Sequence, residues 1–266
     1  EWVLLNGNQT ALMFVYYLIT RWKELGKING KEYIVKTIVT TETIKTIAER
    51  NGVEMYDVYT GFKWIANVMR ENEGKKNYIG GGEESYGFLC EDFVRDKDAV
   101  SACVILAEIA AWAKDQGLSL YQLLQKIYVE YGFSKEKGIS VVKKGKSGAE
   151  EIEAMMKKFR ENPLTEIAGS KVTYFYDYST LKGKDYAENE TVTLDMPTTS
   201  NVLQYFTEDN TKVSIRPSGT EPKIKFYCEV HSKVKNIDEL PEAEKAAEEK
   251  INQIRFYSGE KYTTAK

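Results

Sequence analysis

The stretch "EYIVKTIVTTETIKTIAERNGVEMYDVYTGFKWIANVMRENEG", Glu32 to Gly74, runs twice through one cycle. "EYIVKTIVT" (32–40) is rich in β-branched residues, as a buried strand is. "TETIKTIAERNG" (41–52) opens on a hydroxyl residue, carries apolar residues at helical spacing and stops at Gly52. "VEMYDVYT" (53–60) alternates like a strand, and "FKWIANVMRENEG" (62–74) is helical up to Gly74. Strand, helix, strand, helix predicts an α/β layer with a parallel or mixed sheet.

Working outward, "NQTALMFVYYLITRWKELG" (8–26) predicts a helix behind a turn and cap. Its apolar run, Ala11–Ile19, is too short to cross a bilayer and suits a core helix. "NYIGGGEESYGF" (77–88) predicts a short strand, a glycine turn and a second short strand. "DAVSACVILAEIAAWAKDQG" (98–117) is apolar almost all round, which predicts a buried helix. "SLYQLLQKIYVEYG" (119–132) is a further helix. The pattern changes at "SKEKGISVVKKGKSG" (134–148), polar, lysine-rich and punctuated by glycine, where a domain boundary is expected. Beyond it come one helix (149–163), four strands (171–179, 201–210, 212–217 and 223–230), with "EDN" as a hairpin turn, and a charged amphipathic helix (239–257). The expected fold is α/β: a mixed-sheet α/β domain over residues 1–138, then a smaller α+β domain over 139–266 with an antiparallel sheet flanked by helices.

A net charge of −3 gives no basic field to hold nucleic acid. Three cysteines, Cys90, Cys103 and Cys228, are widely spaced and odd in number. That argues against a disulfide framework or a zinc site and predicts a reducing, cytoplasmic setting. No basic leader precedes the first apolar run, so neither a signal peptide nor a membrane partner is expected. The chain begins at Glu1 without a methionine, and is expected to be a processed product or a piece of something longer.

Two loops carry chemistry. In "RPSGTEPK" (216–223), a turn rich in Gly, Ser and Thr can point backbone N–H groups and hydroxyls into one anion-binding concavity. Gly219 permits a backbone conformation closed to other residues. Arg216 adds a planar fork that fits a phosphate. Chemistry alone leaves this equally a hairpin turn with an incidental arginine. In "GGEESYGF" (81–88), glycines would let a ligand approach the backbone, Glu83 and Glu84 offer carboxylates, and Ser85 a hydroxyl. Such a loop suits the vicinal hydroxyls of a sugar, but chemistry alone favours a solvated acidic turn. A metal would need His or Asp at ligand spacing nearby, and there is none.

Taken together, the two motifs resemble the C-terminal half of an α-D-phosphohexomutase, the phosphoglucomutase/phosphomannomutase family. "GEESYG" (82–87) is similar to the family's sugar-binding loop in its third domain, and "RPSGTEPK" to the phosphate-binding loop in its fourth. "YTGFKWI" (59–65) and "VRDKDA" (94–99) resemble segments that line the sugar site, and the likeness covers essentially the whole chain, with the end of domain two at its start. The resemblance implies that Glu83 and Ser85 bind sugar hydroxyls, with Thr60, Gly61, Lys63 and Lys97 on the substrate side. It implies that Arg216, Ser218, Gly219 and Thr220 hold the phosphate that is not being transferred, and Lys223 could add charge. The family's usual glycine after "DKD" is Ala99 here.

The family's phosphoserine loop and its Asp-Gly-Asp-x-Asp-Arg magnesium loop occur nowhere in this sequence, and the single histidine, His231, lacks the phosphoserine context. The chain is therefore expected to be inactive alone, with no catalytic residue of its own except possible participation by Lys97, and no metal ligands. The intact enzyme implied would use Mg2+ and glucose 1,6-bisphosphate. It would interconvert hexose 1- and 6-phosphates through a phosphoserine, with N-terminal domains as partners. A mutase for mannose or pentose phosphates, or a non-catalytic sugar-phosphate-binding module, are the competing expectations.

Overall fold

A computed structural model describes residues 2–143, 145–219 and 221–254. The described residues divide into two compact units, one of residues 2–133 with 233–240, the other of residues 134–232 with 241–254.

The first unit is built on α1 (Gly7–Glu24), β1 (Glu32–Thr37), α2 (Thr43–Arg50), β2 (Glu54–Val58), α3 (Phe62–Asn72), β3 (Asn77–Gly82), β4 (Phe88–Cys90), α4 (Ala99–Asp115) and α5 (Leu120–Tyr131). Its sheet runs β2-β1-β3-β4, parallel across the first three strands and antiparallel at β4. Every residue of β1 is buried, as expected of a strand covered on both faces. One face packs Tyr33, Val35, Val58 and Tyr78 against Phe62, Ile65 and Met69 of α3. Helix α1 is buried over most of its length, and its Phe14 stacks on Phe88 of β4 at 4.5 Å. Each such side chain fully removed from water contributes about 1.5–3 kcal/mol. Asn6 and Gln9 close a reciprocal capping box at the start of α1.

Two expectations fail here. Helix α4 is not buried: Val100 is 73% and Val104 61% exposed, and only Ile109 and Ala113 are buried. Apolar residues all round a helix do not by themselves supply a partner for each face, and here only Ile109 and Ala113 are covered. The three glycines of "IGGG" are not a turn but the end of β3, closely approached by neighbouring backbone. A β-carbon on Gly81 would lie 2.3 Å from the Val35 carbonyl oxygen, and one on Gly82 2.6 Å from that of Gly87.

The second unit holds β5 (Phe133–Val142), α6 (Gly145–Glu161), β6 (Glu166–Ile167), β7 (Ser170–Asp177), β8 (Lys182–Asp185), β9 (Glu190–Thr193), β10 (Leu203–Thr207), β11 (Lys212–Pro217), β12 (Lys223–Ser232) and α7 (Leu240–Ile254). The sheet order is β5-β12-β11-β10-β7-β8-β9, with β6 beside β7. Pairings from β12 through β9 are antiparallel. The polar stretch expected as a linker is edge strand β5 and the first turn of α6. By contacts the second unit begins at 134, where β5 pairs in the second sheet. Strand β5 reads as polar because its lysines pair with α7: Lys135 reaches Glu244 at 2.9 Å and Lys137 reaches Glu248 at 2.6 Å.

This unit also buries charge. Lys212 pairs with Glu229 at 2.9 Å, both almost wholly excluded from water, and His231 Nε2 sits 2.7 Å from the other Glu229 oxygen. Burial opposes ionisation of Glu229, but Lys212 and His231 outweigh it and hold the carboxyl well below its usual range. For His231, burial favours the neutral ring, yet the carboxylates of Glu229 and, more weakly, Glu136 outweigh it and raise its pKa.

Candidate functional site

In an open α/β sheet, ligands bind beyond the carboxyl ends of the parallel strands. The first unit gathers the sequence-predicted residues there. Past β2 the chain turns through Tyr59, Thr60 and Gly61 into α3. Gly61 has φ +112°, a conformation that favours glycine. Its N–H donates to Glu83 Oε1 at 2.9 Å, so the turn after β2 holds the first carboxylate after β3. The loop from Glu83 to Gly87 is closed on itself by the Glu83 N–H donating to the Gly87 carbonyl at 2.8 Å. Lys97 joins them because Gly87 has no side chain: a β-carbon there would lie 3.0 Å from both Glu83 Oε2 and Lys97 Cδ. The Lys97 ammonium stands 5.6 Å from the Phe62 ring centroid. Ser85 is exposed at the loop tip and Lys63 is exposed, its ammonium 5.1 Å from the Trp64 ring. Ala99, where the family pattern has glycine, opens α4 under an Asp98 cap and needs no special conformation.

Sequence reasoning missed the supports of this loop. Lys36 is wholly buried at the end of β1, paired with Asp57 at 2.7 Å and Glu42 at 2.9 Å. Thr37 donates to Glu84 Oε2 at 3.4 Å. A lysine in a β-branched strand gives no sign in sequence of whether it points to solvent or to carboxylates on its neighbours.

In the second unit, Arg216 lies near the end of β11, half-buried, and Ser218 follows it. The loop is drawn in by the Ser218 N–H donating to the Lys223 carbonyl at 2.8 Å, and the Lys143 N–H from the end of β5 donates to the Pro222 carbonyl at 2.8 Å. Arg216 has no ion-pair partner among the described residues, and its cross-strand neighbour is Lys225. Like charges directly opposite each other are unfavourable unless an anion lies near both. Lys225 went unnoticed in the sequence, although counting back symmetrically from the hairpin tip pairs it with Arg216. Lys223, by contrast, is paired with Glu221, whose carboxyl it holds below the usual range. Gly219 does not use its freedom: it does not take the left-handed conformation, and a β-carbon there would meet nothing within 4 Å. What it supplies is an open loop wall. Thr220 lies outside the described residues.

Magnesium does not fit what is here. Among the described residues no three His, Cys, Asp or Glu side chains come together to hold a metal ion. Nor is any described helix long and apolar enough to cross a membrane.

Sequence comparison assigns both parts of the chain to known domains. The profile of phosphoglucomutase/phosphomannomutase α/β/α domain III matches residues 6–131, and that of the family's C-terminal domain matches residues 140–247. A phosphoglucomutase of Staphylococcus aureus (strain bovine RF122 / ET3-1) is 37% identical over 251 residues, covering 94% of this chain and 43% of its own length. One from Staphylococcus haemolyticus (strain JCSC1435) is 33% identical over 235 residues, 88% of this chain and 41% of the relative. Among solved structures, the exocytosis-sensitive phosphoprotein pp63/parafusin, a phosphoglucomutase from Paramecium, superposes in its open form with TM-score 0.58 at 17% identity, over 99% of this chain and 44% of that one. A phosphoglucomutase/phosphomannomutase family protein from Burkholderia thailandensis gives 0.54 at 17% identity, over 92% and 43%. This chain belongs to the phosphoglucomutase/phosphomannomutase family and carries its domain III and C-terminal domain. It spans less than half the length of these curated relatives.

Proposed function

We propose that this chain supplies the substrate-reading part of a phosphohexomutase that interconverts hexose 1- and 6-phosphates. Glu83 and Ser85 accept and share hydrogen bonds with sugar hydroxyls, with Thr60, Gly61 and Lys97 beside them. Arg216, Ser218, Gly219 and Thr220 take the phosphate that stays on the sugar. Lys225 adds the second positive charge. The phosphoserine and Mg2+ of the two-step transfer, and the bisphosphate passed between steps, belong to partner domains that this sequence does not contain.

The observation that carries this reading is Arg216: a half-buried guanidinium without an ion-pair partner among the described residues, facing Lys225 beside an open Ser-Gly turn. Two cations opposite each other across a strand pair favour an anion near both, and the guanidinium fork matches phosphate oxygens.

Isothermal calorimetry tests it. The chain should bind inorganic phosphate and glucose 1-phosphate, and Arg216→Ala should weaken both by about ten- to a hundredfold, as expected for loss of a charge-assisted contact. Glu83→Gln should weaken glucose 1-phosphate and leave inorganic phosphate nearly unchanged, because a carboxylate accepts from hydroxyls and repels phosphate. Equal titration of Arg216→Ala and wild type would sink the assignment. A coupled mutase assay of the chain alone, with Mg2+ and glucose 1,6-bisphosphate, should read background.

A further inference from the structure

The loop at 83–87 has a second wall. Its backbone rests on the first residue of α1, with no space between. A β-carbon on Gly7 would lie 2.0 Å from the Glu84 carbonyl oxygen and 2.7 Å from both the Glu84 carbonyl carbon and the Tyr86 nitrogen. These are backbone atoms, so no side-chain rotation could make room. Gly7 itself has no left-handed backbone. It is glycine here for closeness and not for conformation. The same stretch is tied to the loop again, the Tyr86 hydroxyl donating to the Leu5 carbonyl at 3.0 Å.

The support is itself fixed. The Asn6–Gln9 capping box holds the start of α1, and Asn8 Oδ1 accepts from the Thr41 N–H at 3.0 Å in the turn after β1. On the loop's other side Thr37 donates to Glu84 Oε2. Glu84 is thus held through its carbonyl carbon and oxygen by Gly7 and through its carboxylate by Thr37. The residues on either side of it, Glu83 and Ser85, are the two assigned to the sugar.

We infer that Gly7 is a positioning residue for sugar recognition: the first turn of α1 is a seat that sets where Glu83 and Ser85 present their oxygens. The inference rests on the functional reading above. A hydrogen-bonding loop that must meet hydroxyls at fixed angles gains from such a seat, because small displacements of polar groups are costly. The phosphate loop belongs to the other unit.

The experiment is calorimetry of the full chain with glucose 1-phosphate and inorganic phosphate, together with amide hydrogen exchange. Gly7→Ala should weaken glucose 1-phosphate on the order of tenfold to a hundredfold while inorganic phosphate binds as before. Exchange at the Gly61 amide, the donor to Glu83, should become faster in the variant whether or not sugar is present. Tyr86→Phe, which adds no bulk, should weaken glucose 1-phosphate by about threefold, with phosphate again unchanged. It decides alone if Gly7→Ala does not fold. Unchanged glucose 1-phosphate affinity and Gly61 exchange in the variants overturn the inference, as does equal loss of both ligands. If the wild-type chain binds phosphate but no sugar phosphate, the functional reading falls instead, and Gly61 exchange still judges the seat.

Discussion

The two ends of the β11–β12 hairpin use the same geometry for opposite purposes. Lys212 and Arg216 lie four residues apart on β11, hence on one face. Lys212 stands opposite Glu229, and Arg216 opposite Lys225. At the far end the charge is buried, paired and joined by His231; at the turn it is half-buried and left facing its own sign. A cation whose partner is built in belongs to the framework. In the function proposed above, a cation set against another cation takes an anion that arrives from solution. On that reading one pair of strands holds stability at one end and recognition at the other, and substitutions at each end test whether they can be altered independently.

The largest effect is expected at the framework end. Lys212→Met leaves Glu229 buried without its main countercharge, and should cost about 3–5 kcal/mol in urea unfolding of the second unit. Phosphate affinity of the remaining folded protein should be unchanged. If that affinity falls in step with stability, the two ends are not separable. Next comes the turn. Arg216→Ala should forfeit about 1.5–3 kcal/mol of phosphate binding while unfolding stability stays within about 0.5 kcal/mol of wild type. A large loss of stability would mean that Arg216 is framework too.

A pH series sharpens the framework end further. The folded-state pKa of His231 is raised above its ordinary 6.5, so its stabilising charge is fully present below that value and is lost as pH rises through the raised one. Glu229 works in the other direction: its contribution is present above 4.5 and fades as pH falls toward its depressed value. Thermal melts from about pH 6 to about pH 9 should show the second unit losing stability, and His231→Gln should flatten that slope. An unchanged slope in the variant assigns the titration to another group. The smallest expected change is at the turn again. Lys225→Glu gives Arg216 an opposite charge across the strands, which should add roughly 0.2–1 kcal/mol of stability. It should also abolish phosphate binding. Such a variant makes the recognition end resemble the framework end.

How much of this was legible follows from what kind of contact each feature depends on. The strand–helix cycle from Glu32 to Gly74 was readable because local periodicity and caps determine it. The Arg216 turn was readable because Pro, Ser, Gly and Thr together between two strands mark a hairpin. Strand β5 was missed because its lysines pair with a helix a hundred residues away, so in sequence it looked like a linker. Strands β8 and β9 are short and polar, and no alternation marked them. The exposure of α4 was missed because composition sets how apolar a helix is, not what covers it. At the sugar loop, the acidic and hydroxyl residues were visible but the seat was not. Gly7 lies seventy-seven positions before Glu84, and only the fold brings their backbones together.

The glycines that end β3 have one more consequence, for how the chain can evolve. A missense change at any of the three codons adds at least a β-carbon, but the outcomes differ. At Gly80 the first obstacle is the tip of Leu18, 3.0 Å away, which a rotamer change can move; the Leu89 carbonyl oxygen and the Phe88 ring, both at 3.3 Å, would have to give by a few tenths of an ångström. At Gly81 and Gly82 the obstacle is a main-chain carbonyl of a neighbouring strand or turn, at 2.3 and 2.6 Å, and the sheet itself would have to part. Alanine at position 80 therefore asks for a change at position 18 and a small shift of β4. Positions 81 and 82 have no such partner through which to drift. Tolerance to mutation changes from negotiable to closed within a single step along one strand, beside the loop assigned to the sugar.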